Sequence, residues 1–401
     1  MKRRTFLKSS MAAGATLALP MYGIRDSRAA DPVTIYGVKS LSGSGAAFGK
    51  LANMGSKLAV EDHDDVLDSP PMYQSIDTES DPSTAVRKVQ EAVQKYNAEL
   101  FVGATFSSTA LAVGKEANKN GGVFITPAGA DEITGSECNP ATFRWSVPTY
   151  GAINETVRPL INERPNAKRW YTITPDYVFG EALLSNAKAV FEELGVEHVG
   201  NSYHSMDTQQ FSGYLANAMA ANPDVLLLLN FAGQASSCLR QAVNFGMKQK
   251  MTILVAWTAG LSQFQSLGSN IIEDVYLGAQ YWHEVDTPMN KRFVQRVRDV
   301  YCINPAYPVA ADYISTWVIL EAADKAGSSD GEAVRTALEG MTYQGPTGEE
   351  TIRASNHQVI KDYYLLRGKP KSKMKDEDDY ASVISSGKSF HSEDEDSCEM
   401  S

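Results

Sequence analysis

One short segment combines hydroxyl groups with a predicted helix start, a pattern suited to binding an anion. It consists of Thr105, Phe106, Ser107, Ser108 and Thr109, and it follows an apolar run that predicts a buried strand. The free N–H groups and the partial positive charge of a helix N-terminus favour a carboxylate at such a position. Ordinary helix capping explains the same residues equally well, so the spacing alone leaves both interpretations open.

A second segment, Thr126 to Ala130, is made of small residues and follows another apolar run. Ala128, Gly129 and Ala130 would let a ligand approach the main chain closely. We therefore predict that their backbone groups belong to the same site. Helix capping is the alternative here as well.

Aromatic residues lie at or near the ends of predicted strands in the second half of the chain. Such residues are packed in a core more often than they are arranged around a ligand. A position at strand ends, where a cleft would lie, favours contact with a ligand instead. The residues concerned are Tyr177, Phe179, Phe231, Trp257, Tyr281 and Trp282.

Familiar cofactor, metal and catalytic motifs are missing from the sequence. The glycine-rich turn at Gly43 and Gly45 has Phe48 where a dinucleotide fingerprint needs its third glycine. The acids between Glu61 and Asp65 are nearly consecutive rather than spaced as metal ligands, and the six histidines show no His-x-x-x-His or Glu-x-x-His pairing. We therefore predict no cofactor, no metal site and no catalytic residue.

The elements that must position these residues alternate between strands and helices. Short apolar runs are separated by segments with helical periodicity, which is typical of parallel sheets with crossover helices. The series breaks near Pro148–Tyr150, so we predict an α/β protein with two lobes and a cleft between them. The predicted strands span 33–38, 72–77, 100–103, 123–126, 170–174, 225–229, 252–256 and 275–281.

The first residues have the composition of a bacterial export signal. Arg3 and Arg4 precede a short apolar stretch at 11–20, and Ser27-Arg28-Ala29 offers a small-residue cleavage site. The paired arginines indicate the twin-arginine route, and a general secretion signal with a basic start is the alternative. We predict that residues 1–29 are removed and that the mature protein is periplasmic.

Composition narrows the classes of partner. The formal net charge of −11 becomes −16 without residues 1–29, which carry six basic residues and one acidic residue. An acidic protein disfavours nucleic acid and anionic lipid as partners. The four cysteines are too far apart for a zinc ribbon, and they leave free thiols and one disulfide equally open. Residues 389–401 are rich in Ser, Asp and Glu, and we predict that this acidic tail is disordered.

Taken in order along the chain, several short motifs resemble the type I extracytoplasmic solute-binding proteins of ABC transporters, in the leucine/isoleucine/valine-binding family. The resemblance covers nearly all of residues 32–388. The motifs that carry it are Ser40-Leu41-Ser42-Gly43 with Gly49, Phe101-Val102-Gly103 with Ser107-Ser108-Thr109, Thr126-Pro127-Ala128, Asp176 to Glu181, Pro223-Asp224-Val225, Gln241-Ala242 with Phe245-Gly246, and Arg353 to Gln358.

The resemblance implies a Venus-flytrap fold in which each lobe is a mostly parallel sheet flanked by helices. The chain would cross between the lobes three times. The first lobe would then comprise residues 31–149 and 283–343, and the second lobe residues 150–282 and 344–388.

The resemblance also implies how a ligand would be held. In that family an amino-acid carboxylate binds a Ser/Thr-rich loop and adjoining backbone, here Thr105–Ser108 and Ala128–Ala130. The ammonium group meets an acid of the second lobe, at a position that falls here in Ala256-Trp257-Thr258 and holds no carboxylate. An ammonium group buried there would lose its hydration without a charged partner, although a cation–π contact would partly offset the loss.

We therefore expect a small carboxylate-bearing ligand with an apolar or aromatic body, such as an aromatic acid, a keto acid or a short fatty acid, and less readily a branched-chain amino acid. The protein would be a monomer without enzymatic activity that delivers this ligand to the membrane permease of an ABC transporter. A periplasmic sensory module and an exported α/β enzyme are the alternatives. The predicted ligand-binding residues are Ser42, Phe48, Thr105, Phe106, Ser107, Ser108, Ala128, Gly129, Ala130, Tyr177, Phe179, Phe231, Trp257 and Trp282.

Overall fold

The computed structural model describes residues 32–395 and 397–400, so the predicted export signal lies outside the described residues. Strands and helices alternate through most of this range. The strands are β1 (Thr34–Lys39), β2 (Met72–Asp77), β3 (Leu100–Gly103), β4 (Val123–Thr126), β5 (Thr142–Arg144), β6 (Arg169–Pro175), β7 (Glu197–His204), β8 (Val225–Leu228), β9 (Thr252–Val255), β10 (Tyr276–Ala279), β11 (Thr342–Gly345), β12 (Gly348–Ile352), β13 (Val359–Ile360), β14 (Tyr363–Gly368) and β15 (Ala381–Gly387).

Helices connect most of the parallel strands and cover both sheets. None of those in the described part of the chain is long and apolar enough to cross a bilayer. They are α1 (Ala46–Asp62), α2 (Pro82–Tyr96), α3 (Ser107–Lys119), α4 (Thr149–Asn154), α5 (Val157–Glu163), α6 (Val178–Leu194), α7 (Ser212–Ala221), α8 (Ala232–Asn244), α9 (Leu261–Leu267), α10 (Ser269–Ile272), α11 (Pro288–Tyr301), α12 (Tyr307–Ala326) and α13 (Gly331–Leu338).

Two sheets form the centres of two lobes. The first sheet has the order β2-β1-β3-β4-β5 and is parallel throughout. The second has the order β15-β14-β10-β9-β8-β6-β7, in which β14 runs antiparallel to both of its neighbours and the other pairs are parallel. We call the parts built around them the first and the second lobe. This arrangement confirms the predicted α/β class with mostly parallel sheets.

The eight predicted strands coincide with β1 to β4, β6 and β8 to β10. The sequence pattern of these strands is easy to recognise. Strands such as β3, β4 and β8 are buried at every residue, and a strand buried on both faces needs a continuous apolar run. β5, β7 and the strands from β11 onward were not predicted. β5 has only three residues, and β7 is a half-exposed edge strand with polar residues at Glu197, His198 and Asn201.

A small antiparallel sheet of β11, β12 and β13 lies outside both main sheets. It straddles the predicted lobe boundary at residue 343, because β11 pairs with β12 from Thr342 to Gly345. The division of the chain into 31–149 with 283–343 and 150–282 with 344–388 therefore stays a proposal.

The acidic tail, which the sequence predicts to be disordered, contacts the rest of the protein in its described residues, 389–395 and 397–400. Cys398 forms a disulfide with Cys138, 260 residues earlier in the chain, and the Ser389 hydroxyl donates to the Glu155 carboxylate. Of the other two cysteines, Cys238 is a buried free thiol and Cys302 an exposed one. The prediction was based on the composition of the tail, which contains almost no apolar residue. A disulfide can hold such a segment in place without any burial of apolar surface.

We place the crossings between the lobes at 145–148, 280–287 and 353–362, the last of them later in the chain than the predicted boundary at 343, and we call the three together the hinge. Side chains tie these crossings together. The Gln280 amide accepts from Val147 N at 2.9 Å and donates to Val147 O at 2.8 Å. Lys361 Nζ donates to Gln280 O at 2.9 Å, and Gln358 Nε2 donates to Ser146 O at 2.9 Å. The crossings therefore form one hydrogen-bonded unit.

Lys361 is a fully buried ammonium group within this unit. Its Nζ also donates to Asp362 O at 3.0 Å and lies 4.2 Å from the centre of the Trp145 ring. Burial lowers the pKa of Lys361 from 10.5 to about 7, although the charges of Glu350 and Asp362 act in the opposite direction. The hinge therefore holds a lysine that titrates near neutral pH.

We expect the free energy of unfolding to rise with pH because of Lys361. Its pKa is lower in the folded state, so the cost of burying the charge is complete below pH 7 and fades between about pH 7 and 10. The slope is at most about 1.4 kcal/mol per pH unit. Urea unfolding of wild type and Lys361→Met at pH 6.5, 8.0 and 9.5 should show the stability difference moving in favour of the wild type as pH rises.

Lys50→Met is the matched control for this experiment, because Lys50 is exposed on α1. Its stability difference from the wild type should stay constant over the same pH range. A constant difference for Lys361→Met as well would contradict the assignment of a near-neutral pKa to Lys361.

Candidate functional site

A narrow cavity of about 10 Å³ lies between the two lobes, beyond the carboxyl ends of their parallel strands. This is where ligands bind in open parallel sheets. None of its lining side chains is charged. The lining consists of Phe48, Thr105, Ser107, Pro127, Ala128, Gly129, Tyr177, Phe179, Phe231, Trp257 and Tyr307.

Nine of the fourteen predicted site residues line this cavity. They come from α1, from the loops after β3 and β4, and from the ends of β6, β8 and β9 in the second lobe. Pro127 and Tyr307 were not predicted. Tyr307 opens α12 just before Pro308, so in the sequence only its position at a helix start distinguishes it.

The structure places the other five predicted residues outside the cavity lining. Ser42 is exposed and donates to Asp77 Oδ2 at 2.8 Å, and Ser108 is exposed on α3. Trp282 is buried against Phe264, with ring centres 5.6 Å apart. The last two, Phe106 and Ala130, flank the lining: Phe106 packs over Gly45, and Ala130 is buried behind the loop.

The N-terminus of α3 supplies hydrogen-bond donors to one side of the cavity. Ala110 N bonds back to Phe106 O at 2.9 Å, so the amides before Ala110 lie in the first turn, where no helical acceptor precedes them. The Ser107 hydroxyl oxygen accepts from Ala130 N at 3.2 Å, which leaves its proton available to a ligand. Ser107 and Thr105 therefore present a positive helix end with two hydroxyl groups.

Aromatic rings from both lobes close the opposite side of the cavity. Phe179 and Trp257 of the second lobe meet edge to face, with centres 5.2 Å apart. Phe48 of the first lobe packs against Phe231 of the second at 5.6 Å and against Tyr307 at 5.3 Å. Edge-to-face pairs at these distances are favourable contacts, so the rings join the two lobes directly.

Two tyrosines bring hydroxyl groups to this apolar wall. The Tyr307 hydroxyl donates to Pro127 O at 2.5 Å and lies 2.7 Å from the Ser146 hydroxyl. Burial raises the pKa of both Tyr307 and Tyr177 well above the usual value. Both side chains are therefore neutral throughout the physiological pH range.

At Gly129 the two lobes approach each other closely. A Cβ atom at this position would lie 2.5 Å from Trp257 Cη2 and 2.9 Å from Phe179 Cε2. Real Cβ atoms do not come so close to other heavy atoms, so only a glycine allows these rings to pack over the loop.

A buried arginine holds the same loop from behind. The Arg144 guanidinium donates to Ala130 O and to Gly129 O, the latter at 3.4 Å. Its Nε donates to Gln358 Oε1 at 2.6 Å, in the third crossing. The carbonyl groups of the loop are thus fixed by a side chain that also contacts the hinge.

Comparison with known proteins agrees with this geometry. The family model described as periplasmic binding protein matches residues 32–375. The chain belongs to this family. The solved structure of an amino acid ABC transporter substrate-binding protein from Pseudomonas fluorescens Pf-5 shares 60% sequence identity, covers 92% of this chain and 100% of its own, and superposes with a TM-score of 0.90.

More distant relatives show the same pattern. The Leu/Ile/Val-binding protein homolog 4 of Brucella melitensis is 24% identical over 298 residues, which are 71% of this chain and 70% of that protein. A solute-binding protein from Rhodopseudomonas palustris, solved with benzoate, shares the fold at 19% identity with a TM-score of 0.81, over 92% of this chain and 100% of its own.

These matches confirm the resemblance to type I solute-binding proteins and the two-lobed fold. The chain is a solute-binding protein of the ABC-transporter type. Members of this family bind substrates rather than convert them, and the family implies a location outside the cytoplasm.

We expect Gly129→Ala to prevent full closure of the lobes. The added methyl group would overlap the Trp257 ring, and overpacking of this kind costs about 1–3 kcal/mol, here in the closed form alone. Small-angle X-ray scattering should give the variant a larger radius of gyration than the wild type.

Gly213→Ala on α7 is the matched control, since a Cβ atom there would meet nothing within 4 Å. Its scattering curve should superpose on that of the wild type. Identical curves for Gly129→Ala and the wild type would show that the loop does not limit closure.

Proposed function

We propose that this protein captures a small carboxylate-bearing ligand with an apolar or aromatic body and delivers it to the permease of an ABC transporter. The observation that carries the proposal is the lining of the interlobe cavity, which has hydrogen-bond donors at one end, aromatic rings at the other and no charged side chain.

The donor end of the cavity supports a carboxylate. Ser107 is almost completely buried at the start of α3, a helix of 13 residues. Hydrogen bonds from hydroxyl and N–H groups to an ionised acceptor are stronger than those to a neutral one. Because the helix end adds a partial positive charge, a carboxylate needs no arginine or lysine in this position.

The aromatic end of the cavity argues against an ammonium group. Trp257 stands in the segment where the related amino-acid-binding proteins are expected to place an acid, and its side chain is 2% exposed. An ammonium group in contact with Trp257, Phe179 and Phe231 would be dehydrated without a carboxylate to pair with. A cation–π contact recovers only part of that cost.

A hydrophobic amino acid is the second candidate, because the relative with 60% sequence identity is named as a substrate-binding protein of an amino acid ABC transporter. The two candidates differ in one group, the ammonium group beside the carboxylate. Among the lining residues, main-chain carbonyls and hydroxyl oxygens are the neutral acceptors that an ammonium group could use.

In the proposed cycle a ligand selects the closed state because it touches both lobes at once. The donor loop of the first lobe holds the carboxylate, and the rings of the second lobe cover the body. The closed monomer then docks on the permease.

We further propose export by the twin-arginine route, with cleavage of the signal near Ala29.

A matched pair of ligands tests the proposal. Leucine and 4-methyl-2-oxopentanoate have the same carbon skeleton, as do phenylalanine and phenylpyruvate, and within each pair only the group beside the carboxylate differs. We expect the keto acid to bind at least ~10-fold more tightly than its amino acid, because an unpaired buried charge costs more than ~1.4 kcal/mol.

Isothermal titration calorimetry on the mature protein gives the two dissociation constants directly. Thermal shift assays check them, since a ligand at 100 times its dissociation constant stabilises the folded state by about 2.7 kcal/mol. Tighter binding of leucine or phenylalanine than of the matching keto acid would establish the second candidate instead.

A pair of neighbouring serines tests the donor end. We expect Ser107→Ala to weaken binding of the carboxylate ligand by roughly 10-fold or more, since a hydrogen bond to a charged group contributes about 1.5–3 kcal/mol. Ser108→Ala, one residue further along α3 and exposed, should leave the dissociation constant within ~2-fold of the wild type. If calorimetry gives equal effects for the two substitutions, the ligand carboxylate does not bind at the start of α3.

A further inference from the structure

The C-terminal segment, residues 389–395 and 397–400, connects the two lobes. It continues from β15, which is paired with β14 at the edge of the second sheet. Its far end is joined to the first lobe by the disulfide between Cys398 and Cys138. Cys138 lies in the loop between β4 and β5. The chain therefore joins the lobes at this place in addition to the three crossings of the hinge.

Contacts hold this segment against the hinge along its path. Ser389 O lies 2.3 Å from the position a Cβ atom on Gly151 would take, so the segment packs directly on α4. The His391 ring stacks on Tyr150 with centres 3.7 Å apart. Arg353, the first residue of the third crossing, donates to His391 O at 3.0 Å. These contacts fix the route of the segment as well as its covalent end.

The loop that receives the disulfide continues directly from the ligand loop at Pro127–Ala130. Its first residue, Asp131, is fastened to the second lobe by a different route. Asp131 Oδ2 accepts from Asn186 Nδ2 of α6 at 2.6 Å, and Oδ1 accepts from Tyr150 N at 3.0 Å. Both ends of the stretch from Asp131 to Cys138 are thus attached to structure beyond the first lobe.

We propose that the disulfide-anchored C-terminal segment is a fourth interlobe connection that positions the ligand loop Pro127–Ala130. Its effect on ligand affinity rests on the proposed function, but its effect on the loop does not. A loop that is already held in its binding conformation loses less conformational entropy when the ligand arrives. The segment therefore favours binding without touching the ligand.

Hydrogen exchange of the mature protein, read by mass spectrometry, tests this positioning role. The variant C138S/C398S keeps the chain length and removes only the covalent anchor, while Cys302→Ser replaces an exposed thiol that is not part of a disulfide. We expect amides at 128–138 to exchange at least ~10-fold faster in C138S/C398S than in the control. Amides of β1 and β3, in the buried part of the first sheet, should change much less.

This readout separates positioning from general stability. A disulfide that only stabilised the whole fold would change exchange in β1, β3 and the loop by the same factor, and that result would overturn the proposal. So would unchanged exchange at 128–138. Alkylation of unreduced, denatured wild type must leave Cys138 and Cys398 unlabelled, and labelling of both would equally overturn it.

A second variant that ends at Lys388 removes the whole segment, and it should accelerate exchange at 128–138 at least as much. With 4-methyl-2-oxopentanoate as the probe, both variants should release the ligand faster than Cys302→Ser in stopped-flow measurements. If the probe binds no form of the protein, the proposed function fails, and the exchange data still decide the role of the segment. If both variants release the probe at the control rate, the segment affects the loop only in the ligand-free protein, and its proposed role in binding is overturned.

Discussion

The close packing of aromatic rings over a loop without side chains is the contact on which the rest of this structure depends. Gly129 has no Cβ atom, so Trp257 and Phe179 of the second lobe can lie directly on the main chain of the first. Phe48 and Phe231 extend the same contact along the cleft. The two lobes are joined by apolar surface here, and the small cavity enclosed by that surface is where a ligand can meet both.

The electrostatics of the cavity follow from this packing. Rings that exclude water leave little room for a charged side chain, because a charge in such a place needs a partner or must be neutralised. The protein instead presents a helix end and hydroxyl groups, which are fixed dipoles without net charge. Tyr177 and Tyr307 fit the same scheme, since burial raises the pKa of both and keeps them neutral.

The hinge differs from the cavity because it buries basic side chains. Lys361 and Arg144 are both almost completely buried among the crossings, where their donors bind main-chain and amide oxygens. A buried cation that satisfies several acceptors from different segments fixes the geometry of those segments relative to one another. Arg144 reaches the carbonyls of Gly129 and Ala130, so the hinge and the ligand loop share a single hydrogen-bonded network.

The sequence by itself determined the parallel α/β architecture, eight of the strands and most of the cavity lining. Buried parallel strands need continuous apolar runs, and the loops that follow them must lie at one edge of the sheet, so Thr105, Ser107 and Ala128 were found from position alone. Tertiary structure decided everything that depends on contacts between distant segments. Tyr307 reaches the cavity from α12, and Trp282 does not, because helix packing rather than strand order sets where each ring points. The pairing of Cys138 with Cys398 is a contact of the same kind, since a link across 260 residues leaves no local trace in composition or periodicity.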